Sequence, residues 1–346
     1  MTNRAGTALL VVLFIIMTIT ILSLAFLSRS DVELACGENM ILRTQMDYMA
    51  ESGLEHARGL ILNDSNYLGN WEFARQQLAG GSDDYYDVNV VELGECNYKI
   101  TCDAYREKGI ERIGRSSLEA ELRLDPCIAF WTQVDTTVSS GVIINGDVYC
   151  NGMLTNNSTI NGDVFVSNLV GSGSITGRQK ATGDLSLTWP QITAGDYYPD
   201  QTIGANSLSG SSLSGIQYCS GNIELSGDVN IVGMLIVDAN LTVTGNGNII
   251  TAEKDLPAIL VTGDLIIGDS GQLGINGVAV VNGRVEVSGD TTINGGLFVE
   301  NGITVSGNVS ITAAPSKTTI ITWPSLGDPV RWSPVGGAFF KSIGRL

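Results

Sequence analysis

Apolar residues fall along this chain in three successive rhythms. Residues 8–27 (ALLVVLFIIMTITILSLAFL) are unbroken by charge, and no charged side chain occurs in 6–28. As a helix, twenty such residues rise ~30 Å, the thickness of a bilayer's hydrocarbon core. The run is too long for the apolar core of a secretory signal peptide, and Arg29, Asp31 and Glu33 follow it in place of a small-residue cleavage site. Beyond it, Leu42, Met46, Met49, Gly53, Ala57 and Leu60 recur at three- and four-residue steps among Glu38, Arg43, Asp47, Glu51, Glu55 and Arg58, with no proline before Pro126. This spacing extends the helix to residue 62, ~80 Å in all, with Gly37 and Gly53 as points where it loosens.

The second rhythm has period two. It runs through residues 85–91, 96–102 and 117–124, separated by turn signals at Gly94 and Gly109. Three such strands predict a small antiparallel sheet that packs on the upper half of the helix. Cys96 and Cys102 bracket one strand, either as a disulfide pair of an oxidising compartment or as two reduced thiols. Cys36, Cys127, Cys150 and Cys219 have no evident partners.

The third rhythm has period six. Val281, Val287, Ile293, Val299, Val305 and Ile311 form one series, and Val261, Ile267, Leu273, Ala279, Val285, Thr291, Leu297, Ile303 and Val309 form another. The spacing recurs at Leu225, Ile231, Val237, Val243 and Ile249, and again at Val142, Val148, Leu154, Ile160 and Val166. A unit such as residues 285–290 (VEVSGD) places two aliphatics inward around one outward residue, then turns at glycine. Three units close a coil of about 18 residues, and each coil buries its apolar face only by stacking on others. The prediction is a parallel β-helix, and these hexads resemble bactofilin-like β-helices. Residues 171–220 lose the period and hold Trp189, Pro190, Tyr197, Tyr198 and Pro199, an excursion whose aromatics pack down on the scaffold or meet a surface glycan or protein ligand.

Composition changes the picture in two ways. A net charge of −17, with 19 basic against 36 acidic residues and no basic cluster, excludes nucleic acid as a partner. The single histidine, His56, leaves little room for imidazole-based catalysis or multi-histidine zinc. No carboxylate pair is marked as acid and base, so no catalytic residue is assigned and the chain reads as a non-enzyme. The Gly-Asp corners at Asp147, Asp163, Asp184, Asp228, Asp264 and Asp290 read as turn residues whose side chains bond nearby amides. Asp83, Asp84 and Asp87, beside Ser82, are the calcium candidates and the only cofactor expectation.

The leader Met1-Thr2-Asn3-Arg4-Ala5-Gly6, the run Thr7-Ala8-Leu9-Leu10-Val11-Val12-Leu13 and the stretch Tyr48-Met49-Ala50-Glu51-Ser52-Gly53-Leu54-Glu55-His56-Ala57 resemble the N-terminal region of PilX-type minor pilins, and are similar to GspK pseudopilins of type II secretion. The resemblance covers about the first 60 residues. It implies cleavage by a prepilin peptidase between Gly6 and Thr7, packing of the freed helix with other pilins or pseudopilins, and a small sheet at residues 63–126. It also adds weight to calcium. Val11 stands at the fifth mature position, where major pilins have Glu, a departure shared with GspK.

The resulting expectation is a leader (1–6), a membrane-spanning and extended α-helix (7–62), a pilin-like α+β domain (63–126), an all-β parallel β-helix (127–320, with the excursion 171–220) and a C-terminal tail (321–346). The chain would cross the bacterial inner membrane once, with its C-terminal part periplasmic or extracellular and the pilus tip as one location. The functional expectation is a minor pilin or pseudopilin, a structural component of a type IV pilus or a type II secretion-like assembly. The alternatives are a membrane-anchored polysaccharide-acting enzyme and a bactofilin-like scaffold.

Overall fold

The structure, a computed structural model, describes residues 4–63, 67, 69–78, 83–94, 96–125, 127–184, 189, 193–204, 206–253, 256–314, 321–323, 330–332 and 338–345. One helix, α1 (Arg4–Asn63), runs unbroken through Gly37 and Gly53 and is ~90 Å long. The next four strands are β1 (Trp71–Gln76), β2 (Asp84–Gly94), β3 (Asn97–Lys108) and β4 (Glu111–Leu124), which pair antiparallel in chain order. Alternation sets one face of this sheet against the helix. Tyr86, Val88 and Val90 of β2, Tyr98, Ile100, Cys102 and Ala104 of β3, and Leu118, Ala120, Leu122 and Leu124 of β4 are buried together with Met46, Met49, Ala50, Leu54, Ala57 and Ile61 of α1. A period of 2 meets a period of 3.6, as the two rhythms require.

The sheet has a fifth strand from the far end of the chain. Ala338–Arg345 pairs antiparallel with β4, from Ala338 opposite Leu124 to Arg345 opposite Leu118. The segment read as a C-terminal tail thus returns to the first sheet, because β4 would otherwise leave a long row of unpaired backbone groups. The β-helix is in consequence an insertion between β4 and this last strand.

The inserted part is a parallel β-solenoid of about 10 turns with three faces. Its stacking order is not its chain order. The chain enters at Ile128–Thr132, winds outward through Val142–Asn145 and Thr159–Asn161 to Ser174–Ile175 and Gln179–Lys180, then crosses to the opposite end. From Gln201–Thr202 it winds back through Ser212–Cys219, Asn230–Val237, Asn248–Ala252, Gln272–Val281 and Asp290–Val299 to Asn308–Thr312. The last coil therefore lies on the first: Val309 pairs with Val142, and Leu297 with Phe130.

Within the excursion 171–220, the ladder persists at Gln179–Lys180, which pairs with Val164–Val170, and again from Gln201–Thr202, which pairs with Ser212–Cys219. The hexad signal fades there because the end coils carry Ser, Gln and half-buried Leu and Ile where inner coils bury Val and Ile. Coil length also varies. Asn294 bonds Asn276 over 18 residues, whereas Asn161 bonds Asn145 over 16.

Stacked glycines turn the corner between two of the faces. Gly277 and Gly295 pair in successive rungs with φ of 141° and 150°, the region only glycine occupies freely. A Cβ on Gly295 would meet the Gly277 carbonyl.

Candidate functional site

Two halves of α1 have different environments. From Met46 upward the helix is the lid of its own sheet. The contact is closest at Gly53, where an added Cβ would collide with Cys102 Sγ and lie 2.9 Å from Tyr86 Cδ2. His56, on the same turn of helix, shares a 2.9 Å hydrogen bond between its Nδ1 and the Tyr86 hydroxyl and stacks on Phe73. Asp47 accepts a 2.6 Å bond from the Ser116 hydroxyl. Burial pushes the Cys102 thiol up to about 12, so this thiol is inert packing.

The lower half of α1 is left uncovered by the described residues. Residues 9–27 are exposed apart from half-buried Thr18, with Leu9 69%, Leu22 68% and Phe26 76% accessible. Val11, the residue at the fifth mature position, is 55% exposed. By length and composition the segment can cross a membrane. An apolar surface of this size has no place in water and marks a membrane or protein contact. Gly6 and Thr7 lie within this helix as backbone.

The acidic candidates for calcium are not brought together. Asp84 and Asp87 have opposite parity on β2 and project to opposite faces of the sheet. The Asp84 carboxylate is gripped by Arg106, whose Nη2 donates at 2.7 Å. Asp87 accepts the Arg75 amide at 2.8 Å and the Tyr105 hydroxyl at 3.1 Å. Asp83 is exposed at the start of the strand, and Ser82 lies outside the described residues. Among the described residues no cluster of three or more His, Cys, Asp and Glu is placed to hold a metal.

Where sheet and solenoid join, a clamp is present that the sequence reading missed. Cys96 pairs with Cys127, Cα to Cα 6.2 Å, which corrects the Cys96–Cys102 alternative. Six extended residues place the latter pair ~20 Å apart along the strand, beyond any disulfide. Cys127 opens the solenoid, and its amide donates to Asp147 Oδ2 at 2.9 Å. Asp147 Oδ1 accepts the Asp163 amide at 2.8 Å and Arg123 Nη2 of β4 at 3.1 Å. Asp163 in turn accepts the Arg178 amide at 2.8 Å and pairs with Lys180 at 2.6 Å.

These Gly-Asp corners do bond backbone amides, but one coil away instead of within their own turn. Asp264 does the same for Arg284, at 2.7 Å. The repeated Gly146-Asp147 and Gly162-Asp163 steps were the signal available for this in the sequence. Burial raises the Asp147 carboxyl above its ordinary value, against its two amide bonds and Arg123. Burial also acts to raise Asp163, but the Lys180 hydrogen bond, the Arg178 amide and both cations outweigh it and hold this carboxyl low.

The aromatics of the excursion pack on the scaffold. Outward-facing Trp131, Tyr149, Phe165, Ile236, Leu260, Val280 and Phe298 form a stripe down one face, and Tyr197 is buried with them. Trp189 meets Trp131 edge-on at 5.2 Å. Tyr198 is 72% exposed.

No family model and no curated protein matches the chain. Among solved structures it is similar to the competence-associated pilin ComZ from Thermus thermophilus, at 12% identity over 88% of this chain and 97% of that one, with a TM-score of 0.30. It is also similar to the DUF3494 domain of ice-binding protein 1 from Shewanella frigidimarina, at 16% identity over 55% of this chain and 95% of that one, with a TM-score of 0.32. At such scores neither likeness bears on function, which rests on the chain's own residues.

Proposed function

We propose that the protein is a pilin-like assembly subunit: a minor pilin or pseudopilin of a type IV pilus or a type II secretion-like machine, anchored by α1 and displaying the solenoid as its head. The observation that carries this reading is the division of one continuous helix. Residues above Met46 are consumed by the sheet, while residues 9–27 offer a bare apolar rod. A plain membrane anchor needs neither an unbroken ~90 Å helix nor a sheet built onto its upper end. A rod held stiffly by its own globular part suits side-by-side packing with other helices of the same kind, first in the membrane and then in a filament.

Processing by a prepilin peptidase between Gly6 and Thr7, partnership with other pilins or pseudopilins, and a location at the inner membrane or pilus tip belong to this reading. N-terminal sequencing of membrane-extracted protein tests the first: Thr7 as the leading residue is expected, and an intact Met1 sinks the processing step. Deletion of the gene, scored for both pilus assembly and secretion, tests the role. Loss of neither phenotype overturns it.

A further inference from the structure

The β3–β4 hairpin ends in a turn whose chemistry does not suit water. Lys108 and Glu111 pair across it, leaving Gly109 and Ile110 at the tip. Gly109 takes φ 69°, as a tight turn requires. Ile110 is 102% exposed, and Ile113, three residues on, is 44% exposed. Turn tips usually carry Asn, Asp, Ser or Gly, and a fully bared isoleucine there has no partner within the described residues. Residues 106–115 also carry four basic and two acidic side chains, in a chain whose net charge is −17.

The position of this tip is fixed by contacts with α1. Gly53 of the helix faces Cys102 of β3, and four strand residues further on Arg106 Nη2 donates to Gln45 Oε1 at 3.1 Å. Gly114, which pairs with Arg106, lies against Leu42. Strand and helix therefore descend together toward the N-terminal end of α1. From the Arg106–Gly114 pair the tip lies ~10–13 Å further down at ~3.3 Å per residue. From Leu42 to Ser28, where the uncharged run ends, the helix descends ~21 Å. The tip thus stands ~10 Å above the edge of the apolar run, and the headgroup layer of a bilayer is ~5–7 Å deep on each side. An isoleucine side chain and the ~20° tilt usual for spanning helices close the remaining gap.

We propose that this hairpin tip rests in the headgroup layer of the membrane that holds α1, with Ile110 as the inserted side chain and Lys108 beside it to meet lipid phosphate. The proposal rests on the reading of α1 as a membrane span. Its role is to set the height and tilt of the globular part before the subunit leaves the bilayer. Arg106, Arg112 and Arg115 are engaged by Asp84, Asp87 and Asp103, so a small apolar tip with Lys108 as its one adjoining cation suits a reversible contact that adds little to the anchoring supplied by the helix.

The test uses the full chain in vesicles of phosphatidylethanolamine and phosphatidylglycerol. Cys36, the one exposed free thiol among the described residues, is replaced by serine, and a polarity-sensitive dye is placed at Ile110→Cys or, for comparison, at Tyr198→Cys on the head. Lipid spin-labelled near the headgroup is expected to quench the dye at 110 several-fold more than the dye at 198. Equal quenching at both positions, with the protein still floating with the vesicles, overturns the hairpin contact and leaves the span intact. Failure to float overturns the membrane reading, and the hairpin proposal with it.

Discussion

Asn145 donates from Nδ2 to the Thr312 hydroxyl at 3.2 Å, across 167 residues of chain. Through this bond the ladder Thr251, Asn276, Asn294, Thr312, Asn145 and Asn161 continues along one face of the solenoid. The stack is seamless there, although it is assembled from two pieces wound in from opposite ends.

Such closure makes the first coils dependent on the last. A chain ended after residue 300 lacks Asn308–Thr312, the strand that joins Val142–Asn145 to Asp290–Val299. Non-local pairing of this kind forms late. Limited proteolysis is expected to cut residues 127–180 in the shortened chain and to spare them in the full one; equal protection would disprove the dependence.

The helix–sheet contact at Gly53 leaves no room for a side chain. Replacement by valine forces the helix off Cys102 and Tyr86 and is expected to cost about 1–3 kcal/mol. Gly37 has open space around it, and Gly37→Ala should be neutral or stabilising by up to ~1 kcal/mol. Thermal unfolding in detergent, followed by circular dichroism, separates the two.

Reduction of Cys96–Cys127 releases the solenoid's first residue from the sheet. The loop between the two cysteines has a sequence separation of 31, for which a loss of about 2–4 kcal/mol is expected. Native alkylation should label only Cys36 before reduction, because Cys102, Cys150 and Cys219 are buried. Peptide mapping that finds Cys96 joined to Cys102 would refute the clamp.

Acid should weaken the same junction through Asp163. Its carboxyl is held below its unfolded value by Lys180 and Arg178 against the opposing effect of burial, so its contribution is present above the unfolded pKa and is lost as pH falls through the folded one. Asp147 has the opposite sign: burial raises it, so its contribution is full at low pH and is lost as pH rises through its folded pKa. Asp163→Asn is expected to cost about 1–3 kcal/mol near neutral pH by leaving Lys180 only its longer pairing with Asp125, at 3.9 Å, with the gap to wild type closing below about pH 4. Urea midpoints across pH read this directly, and a gap that persists in acid would refute it.

Deletion of residues 338–346 bares the edge of β4. Open edges pair with other chains, so the shortened protein should elute as aggregate in size-exclusion chromatography while the full chain does not.

Period alone determined much of this protein. A helix shows its core stripe at 3.6 residues, a sheet at 2 and a hexad solenoid at 6, and each is visible in consecutive residues such as Met46, Met49 and Ala50, or Val281 and Val287. What a strand buries is a local property of its alternation. Which strand lies beside it is not. The return of Ala338–Arg345 to β4, the docking of Val309 on Val142 and the bond from Cys96 to Cys127 join residues far apart in the chain, and no local pattern encodes a partner. The carboxylates make the same point: Asp147 and Asp163 look like ordinary turn residues, and Asp84 and Asp87 like a shared site. Only the folded chain turns the first two toward amides a coil away and sends the second two to opposite faces of one strand.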